Sequence, residues 1–346
     1  MISVEKALQI ILNSTQDFGV EEIPFLKSSG RTLKESIFAD RDFPPFNRVT
    51  MDGIAVDFIS FQNGQRSFLI EGIQAAGSEQ ITLKNTENCI EVMTGAVLPK
   101  NTSAVVRYED LEINNGIAAI LIDEIKDLQN IHQQGKDEQK GAVLITKNTQ
   151  ISPAEMGVFA TVGKSFVKVA KQPKVMIIST GDELVAVEEI PLAHQIRRSN
   201  VFTLVSLLEN LKIPSTTNHI SDDKEVLKNT IKEYVETYDV LLFSGAVSKG
   251  KYDFLPEVLE ELGVQKLFHQ VAQRPGKPFW FGQTTSCKVF AFPGNPVSTF
   301  LNCLVYFYPW FYKSMGLKIV EKTAILAEDI YFKPDLTYFL QVKLNY

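Results

Sequence analysis

The hydrophobic pattern changes character along the chain. After Pro173 short apolar runs alternate with amphipathic stretches: KVMIIST, SNVFTLVSLLENL, STTNHI, DKEVLKNTIKEYVE and DVLLFS. In the first amphipathic stretch Val201, Leu204, Val205, Leu208 and Leu211 follow helical spacing, and in the second Leu227, Ile231, Tyr234 and Val235 do. Runs apolar on both faces suit strands buried in a parallel sheet, so the alternation predicts a doubly wound α/β domain. Further strands are expected at VQKLFHQ, FWFG and KVFAF. A long apolar helix should open at Asn295 and Pro296, kink at Pro309 and stop at Gly316.

Earlier in the chain the texture differs. Ser3 is placed to cap a helix whose Ala7, Leu8, Ile11 and Leu12 share one face. Pro44 and Pro45 force an extended path. From 54 to about 146 the chain is β-rich, with short runs such as FLIEGIQAAG and SAVVRYEDLEI between Gly, Asn and Pro punctuation. Residues 126 to 141 are polar and loop-like. Ser152 and Pro153 signal a helix start, with Met156, Phe159 and Ala160 as its buried side. Residues 317 to 346 look strand-like.

Composition narrows the class. At 346 residues, 45% hydrophobic and 22% charged, the chain is ordinary globular protein with room for two or three domains. The net charge of −6 argues against a general nucleic-acid surface, so an anionic ligand must be held by local cations. The N-terminus lacks the pattern of a signal peptide, and no apolar run reaches the length of a membrane span. Cys89, Cys287 and Cys303 are odd in number and far apart, which suits the reducing cytoplasm. His132, His194, His219 and His269 are scattered, without a metal-binding spacing.

Polar groups should converge at the carboxyl ends of the parallel strands. The expected loops are STGDEL (179 to 184), SDD (221 to 223), SGAVSKGKYD (244 to 253) and PGNP (293 to 296), with RPGKP (274 to 278) nearby in sequence. They carry carboxylates at Asp182, Glu183, Asp222 and Asp253, and cations at Lys249, Lys251, Arg274 and Lys277. Cations with exposed amides suit a phosphate or oxyanion, and carboxylates beside them suit a divalent metal on that phosphate. The loops match neither a Walker A sequence nor the GxGxxG fingerprint, and no Ser-His-Asp ordering stands out. Taken alone, Asp52 reads as an Asp-Gly turn residue, Glu155 as a first-turn acid favouring the helix dipole, and Asp253 as a helix cap.

DFPPFNRVTMDGIA, IEVMTGAVLP with AVVRYED, STGDEL, SGAVSKGKYD, RPGKP and PGNPVS occur in that order. That string resembles the molybdopterin molybdenumtransferase family, which includes bacterial MoeA and the E domain of gephyrin, over residues 1 to about 316. The resemblance implies an α/β multidomain protein. Residues 1–50 and 147–172 would form a discontinuous N-terminal helical and linker domain, and 51–146 a β-rich inserted domain. Residues 173–316 would form a Rossmann-like, doubly wound molybdopterin-binding domain, and 317–346 the start of an incomplete C-terminal β-barrel domain.

The implied reaction inserts molybdate into adenylylated molybdopterin and releases AMP, with Mg2+ or another divalent cation. In that reading Lys277 and Arg274 neutralise the phosphate or oxyanion, and Asp222 and Asp253 hold the metal. Thr180, Gly181, Ser244, Gly245, Ser248 and Gly250 cradle the pterin and nucleotide together with Pro293, Gly294, Asn295, Pro296 and Ser298. By motif, Asp52, Thr94, Asp137 and Glu155 are further functional residues; they fall outside the Rossmann-like segment and would complete a cleft shared between subunits of a homodimer. Molybdopterin adenylyltransferase is the implied upstream partner, with no nucleic acid and no membrane involved. The sequence departs from the family pattern at Val49, Ile54, Ala246 and Gln341. A molybdopterin-binding scaffold with impaired catalysis and an adenylate-cleaving hydrolase are the alternatives.

Overall fold

The computed structural model describes residues 1–245, 247, 253–319 and 323–344. Two compact units divide the chain: residues 1–35, 147–157 and 164–346 form one, and residues 36–146 and 158–163 the other.

The first unit is built on a six-stranded sheet. Its strands are β1 (Val175–Thr180), β2 (Ser215–Ile220), β3 (Val240–Ser244), β4 (Gln265–His269), β5 (Trp280–Gln283) and β6 (Lys288–Phe292). They lie in the order β2-β1-β3-β6-β5-β4. The first four run parallel, and β5 and β4 add on antiparallel. Strands β1, β3 and β6 are buried throughout, as their continuous apolar runs require. Successive residues feed two different cores. Val175, Ile177, Val240 and Leu242 pack with helix Asn200–Asn210, the N-terminal helix Val4–Asn13 and the aromatic segment ending at Met315. Met176, Ile178, Leu241 and Phe243 face the opposite side and pack with helices Lys224–Thr237 and Leu255–Glu261.

Local signals account for the helix ends. Ser3 accepts a hydrogen bond from the Lys6 amide at 3.2 Å, and Asp223 from the Val226 amide at 2.9 Å. Ser152 and Glu155 form a capping box: the Ser152 hydroxyl accepts from the Ala154 amide at 3.1 Å, and Glu155 accepts from the Ser152 amide at 2.7 Å. In that helix, Pro153–Thr161, Phe159 is buried but Ala160 is exposed, contrary to expectation.

The long apolar helix opens at Pro296 and stops at Gly316 as expected, but its irregularity is a π turn ahead of Pro309. It runs α-helical over Pro296–Asn302, passes through a π turn over Cys303–Phe307, and resumes over Tyr308–Met315 before Gly316 caps it at φ 80°. Pro309 has no N–H to give the carbonyl four residues back, and the wider turn precedes it. Residues 317 to 346 hold one short strand among the described residues, Thr337–Tyr338, parallel to Gln273–Arg274. The strand-like composition of that tail finds no sheet partner beyond it, and Ile325 and Tyr331 stand exposed. Among the described residues no helix is long and apolar enough to cross a membrane.

The second unit carries its own six-stranded sheet, ordered Ala104–Arg107, Gly53–Val56, Asn88–Val92, Ser67–Gln74, Ile117–Ile120, Leu111–Asn114. Its neighbours are antiparallel except Ser67–Gln74 with Asn88–Val92, which are parallel. Again alternate residues feed two cores, Ile54 and Val56 on one side and Ala55 on the other.

Candidate functional site

In the α/β unit three strand ends meet. Beyond β1, Thr180 leads into Gly181 at φ 126°, where a Cβ would lie 2.5 Å from a Glu183 carboxylate oxygen. Beyond β3, Ser244 leads into Gly245 at φ 102°, whose amide donates to the Phe292 carbonyl at 3.1 Å. That bond ties the β3 and β6 loops together. Beyond β6, Thr299 donates to the Pro293 carbonyl at 2.6 Å, and Asn200 donates to the Gly294 carbonyl at 2.8 Å. A cavity of about 120 Å³ opens between them, lined by Thr180, Glu183, Asn200, Ser244, Gly245 and Gly294.

The PGNP turn is less open to an anion than its sequence suggests. Asn295 caps the helix and accepts from the Ser298 amide at 3.2 Å, and Ser298 itself is buried. Pro296 has no amide hydrogen to offer. The atoms left for a ligand there belong to Gly294 and Asn295, both exposed.

Carboxylates crowd the β2 end. The Asp222 amide donates to Asp182 Oδ1 at 3.1 Å. Burial pushes the Asp222 carboxyl above its ordinary value, and the neighbouring charges of Asp182 and Glu183 add to the shift. Asp253 is half-buried, two residues before helix Leu255–Glu261. Ser248 and Gly250, with Lys249 and Lys251, lie outside the described residues.

Arg274 and Lys277 are exposed on a loop with a buried foundation. Beneath it Gln273 donates to the Pro275 carbonyl at 2.9 Å and to Asn302 Oδ1 at 2.8 Å. Asn302 donates to the Gly276 carbonyl at 3.2 Å, and the Tyr306 hydroxyl donates to Gln273. Gly276 sits at φ 89°, and a Cβ there would lie 2.6 Å from Asn302 Oδ1. Sequence reasoning missed this trio. The signal was present: Asn302 and Tyr306 are polar interruptions of an apolar helix, and buried polar groups need partners.

In the second unit Asp52 accepts a 2.6 Å hydrogen bond from the Thr94 amide, which holds its carboxyl below the ordinary range. Gly53 allows this turn because a Cβ would lie 1.9 Å from the Val106 carbonyl oxygen. Thr94 and Asp52 are both exposed. Asp137 pairs with His132 at 2.8 Å, and Arg48 contacts the other ring nitrogen at 3.2 Å. Glu155, in the first unit, is held below the usual range chiefly by Ser152. The structure thus brings Asp52 to Thr94 in one unit, and the strand-end loops together in the other.

Cysteine chemistry has no support: all three cysteines are buried, and burial pushes the Cys89 and Cys287 thiols up to about 12. Among the described residues no group of three or more His, Cys, Asp or Glu side chains is arranged to hold a metal.

Comparison with known proteins bears on both units. Residues 2–163 match the family model described as the MoeA N-terminal region (domain I and II), and residues 176–311 match that of a probable molybdopterin binding domain. The molybdopterin molybdenumtransferase of Synechocystis sp. is 39% identical over 350 residues, spanning 100% of this chain and 87% of that protein. Its namesake from Staphylococcus epidermidis is 30% identical over 331 residues, spanning 94% and 79%. Two crystal structures of the molybdopterin biosynthesis MoeA protein from Pyrococcus horikoshii superpose with TM-scores of 0.79 and 0.80. The first is 31% identical and covers 91% of this chain and 80% of its own; the second is 26% identical and covers 98% and 89%.

Proposed function

This chain belongs to the molybdopterin molybdenumtransferase family, and from that premise we propose that it inserts molybdate into adenylylated molybdopterin and releases AMP. The α/β unit is the Rossmann-like molybdopterin-binding part in this reading. The observation that carries it is the meeting of Thr180, Ser244, Gly245 and Gly294, from three strand-end loops, around one cavity, with crowded carboxylates at the neighbouring strand end.

Each residue has a physical task. Glycines at 181 and 245 bring backbone close to a ligand where a side chain would intervene. Thr180 and Ser244 offer hydroxyls to the pterin and nucleotide, and Gly294 and Pro296 border the same space. Lys277 and Arg274, raised on their buried scaffold, neutralise the anionic phosphate or molybdate. Asp52 presents a fixed, ionised acceptor held by the Thr94 amide, and Asp137 and Glu155 are further functional residues.

The donor set fits a magnesium ion. A carboxyl pushed upward by burial, and less by like charges, is relieved by a cation, and magnesium needs only one or two protein carboxylates beside water and phosphate oxygens. Asp222 and Asp253 would hold it, and when bound it would neutralise charge on the adenylate phosphate. Asp52, Thr94, Asp137 and Glu155 serve a cleft completed by a second copy of the chain, and the adenylylated substrate comes from a molybdopterin adenylyltransferase. The location is cytoplasmic.

Incubation with adenylylated molybdopterin, magnesium and molybdate, followed by mass spectrometry, tests the proposal. Molybdenum cofactor and AMP should appear together. AMP without molybdenum insertion would instead support an adenylate-cleaving hydrolase.

A further inference from the structure

A second cavity, of about 380 Å³, opens beside the first, on the β2 side of the sheet. Ser179, Arg198, Asn218 and His219 line it, with Val201 and Phe202. It shares Ser179, Arg198 and Val201 with the cavity at the strand ends, so the two are neighbours. Arg198 is placed there by a short ribbon, Leu184–Val185 parallel to Ile196–Arg197, and its amide donates to the Val185 carbonyl at 3.1 Å. Its guanidinium Nε is buried and has no hydrogen-bond partner among the described residues. A buried charged donor without a partner is costly, and an anionic acceptor removes that cost.

His219 faces the same space. Its Nδ1 lies 3.0 Å from the Ser179 hydroxyl. Burial depresses its pKa, and the positive charge of Arg198 depresses it further; a hydrogen bond to Ser179 and the carboxylates of Asp182 and Asp222 act the other way with smaller effect. Two cationic or potentially cationic groups thus line one cavity, and no acidic side chain is among its lining residues.

We propose that this cavity is a binding site for a tetrahedral oxyanion of the phosphate and molybdate class, held by Arg198 and His219. With Nδ1 engaged at Ser179, the His219 Nε2 is the ring nitrogen left to face a ligand, and the Arg198 fork supplies paired donors to two oxygens. The Asn218 side-chain amide donates to the Tyr234 hydroxyl at 2.7 Å and so serves as a wall of the site. This inference rests on the cavity's chemistry and does not require the transferase reaction.

Calorimetric titration with inorganic phosphate, sodium molybdate and AMP in turn tests it, on the whole chain without magnesium. Wild type should bind at least one of these saturably, and Arg198→Gln should weaken that binding at least tenfold, with Arg198→Lys between them. Molybdate alone binding would assign the site to the free oxyanion; phosphate and AMP binding would assign it to a phosphoester. The His219 ring signals should shift with the same saturation curve in the wild type. Should Arg198→Gln melt early, His219→Gln serves instead, with the same expected loss. Binding unchanged in the variants, or no saturable binding of any of the three, overturns the proposal. Either result is independent of whether molybdenum cofactor is formed in the product assay.

Discussion

Asp52 and Asp222 are both candidate functional carboxylates, and they sit in opposite surroundings. Asp52, in the β-rich unit, accepts a short hydrogen bond from the Thr94 amide and is held ionised by it. Asp222, in the α/β unit, is half-buried near Asp182 and Glu183, and its carboxyl is pushed upward. A carboxylate already satisfied by the protein can orient a substrate donor but has little need of a cation. A crowded one is destabilising until a cation arrives. Under the proposed function, that difference is what separates the acceptor role of Asp52 from the cation role of Asp222.

The largest effect should come from the cation side. Asp253→Asn keeps the shape of the side chain and removes the charge that makes its oxygen a ligand for a hard cation. Asparagine caps a helix about as well as aspartate, so the substitution spares any capping role. AMP release should fall by about 10²-fold with little change in unliganded stability. A normal rate of AMP release would place the cation elsewhere.

Next in size is Lys277→Ala. The side chain is exposed and contributes little to the core, whereas a charge-assisted contact to phosphate contributes about 1.5–3 kcal/mol. Calorimetry should show weaker binding of the adenylylated substrate with an unchanged melting temperature. Asn302→Ala tests the scaffold below it. Leaving Gln273 and the Gly276 carbonyl without their buried partner should cost about 1–3 kcal/mol of stability by denaturant unfolding. It should also loosen substrate binding, since the loop carrying Lys277 loses its foundation. Stability and binding both at wild-type values would remove the trio from the account.

Much of this architecture is legible in the sequence, for definite reasons. β1, β3 and β6 are continuous apolar runs because both of their faces are covered, and helices Asn200–Asn210 and Lys224–Thr237 show their buried stripe in their spacing. Ser3 and Ser152 are caps that a local pattern reveals. The π turn at Cys303–Phe307 is a change of hydrogen-bond register, which composition does not encode. The tail after Gly316 has strand-forming residues, but a strand exists only with a partner, and Thr337–Tyr338 alone has one here among the described residues. For the site, motif order locates the strand-end loops. The grouping of Ser179, Arg198 and His219 is invisible in sequence, because no local spacing links residues that adjoining strand ends and a ribbon bring together. Nor does the sequence show that Asn295 has already taken the Ser298 amide.

Thermal unfolding of Asp222→Asn beside Asp52→Asn, with and without magnesium, tests the contrast most directly. A carboxyl raised in the folded state binds protons that the unfolded chain has released, so Asp222 lowers stability as pH rises from the unfolded aspartate value through the folded one. For Asp52, held low, stability is present above the unfolded value and is lost as pH falls through the folded one. At pH 7 without magnesium, Asp222→Asn should therefore melt above the wild type and Asp52→Asn below it. Both differences should vanish in acid, below both values of each group. Added magnesium should raise the wild type and close its gap with Asp222→Asn. A lower melting temperature for Asp222→Asn at pH 7, with no response of the wild type to magnesium, would contradict the assignment of the crowded carboxylates to a cation.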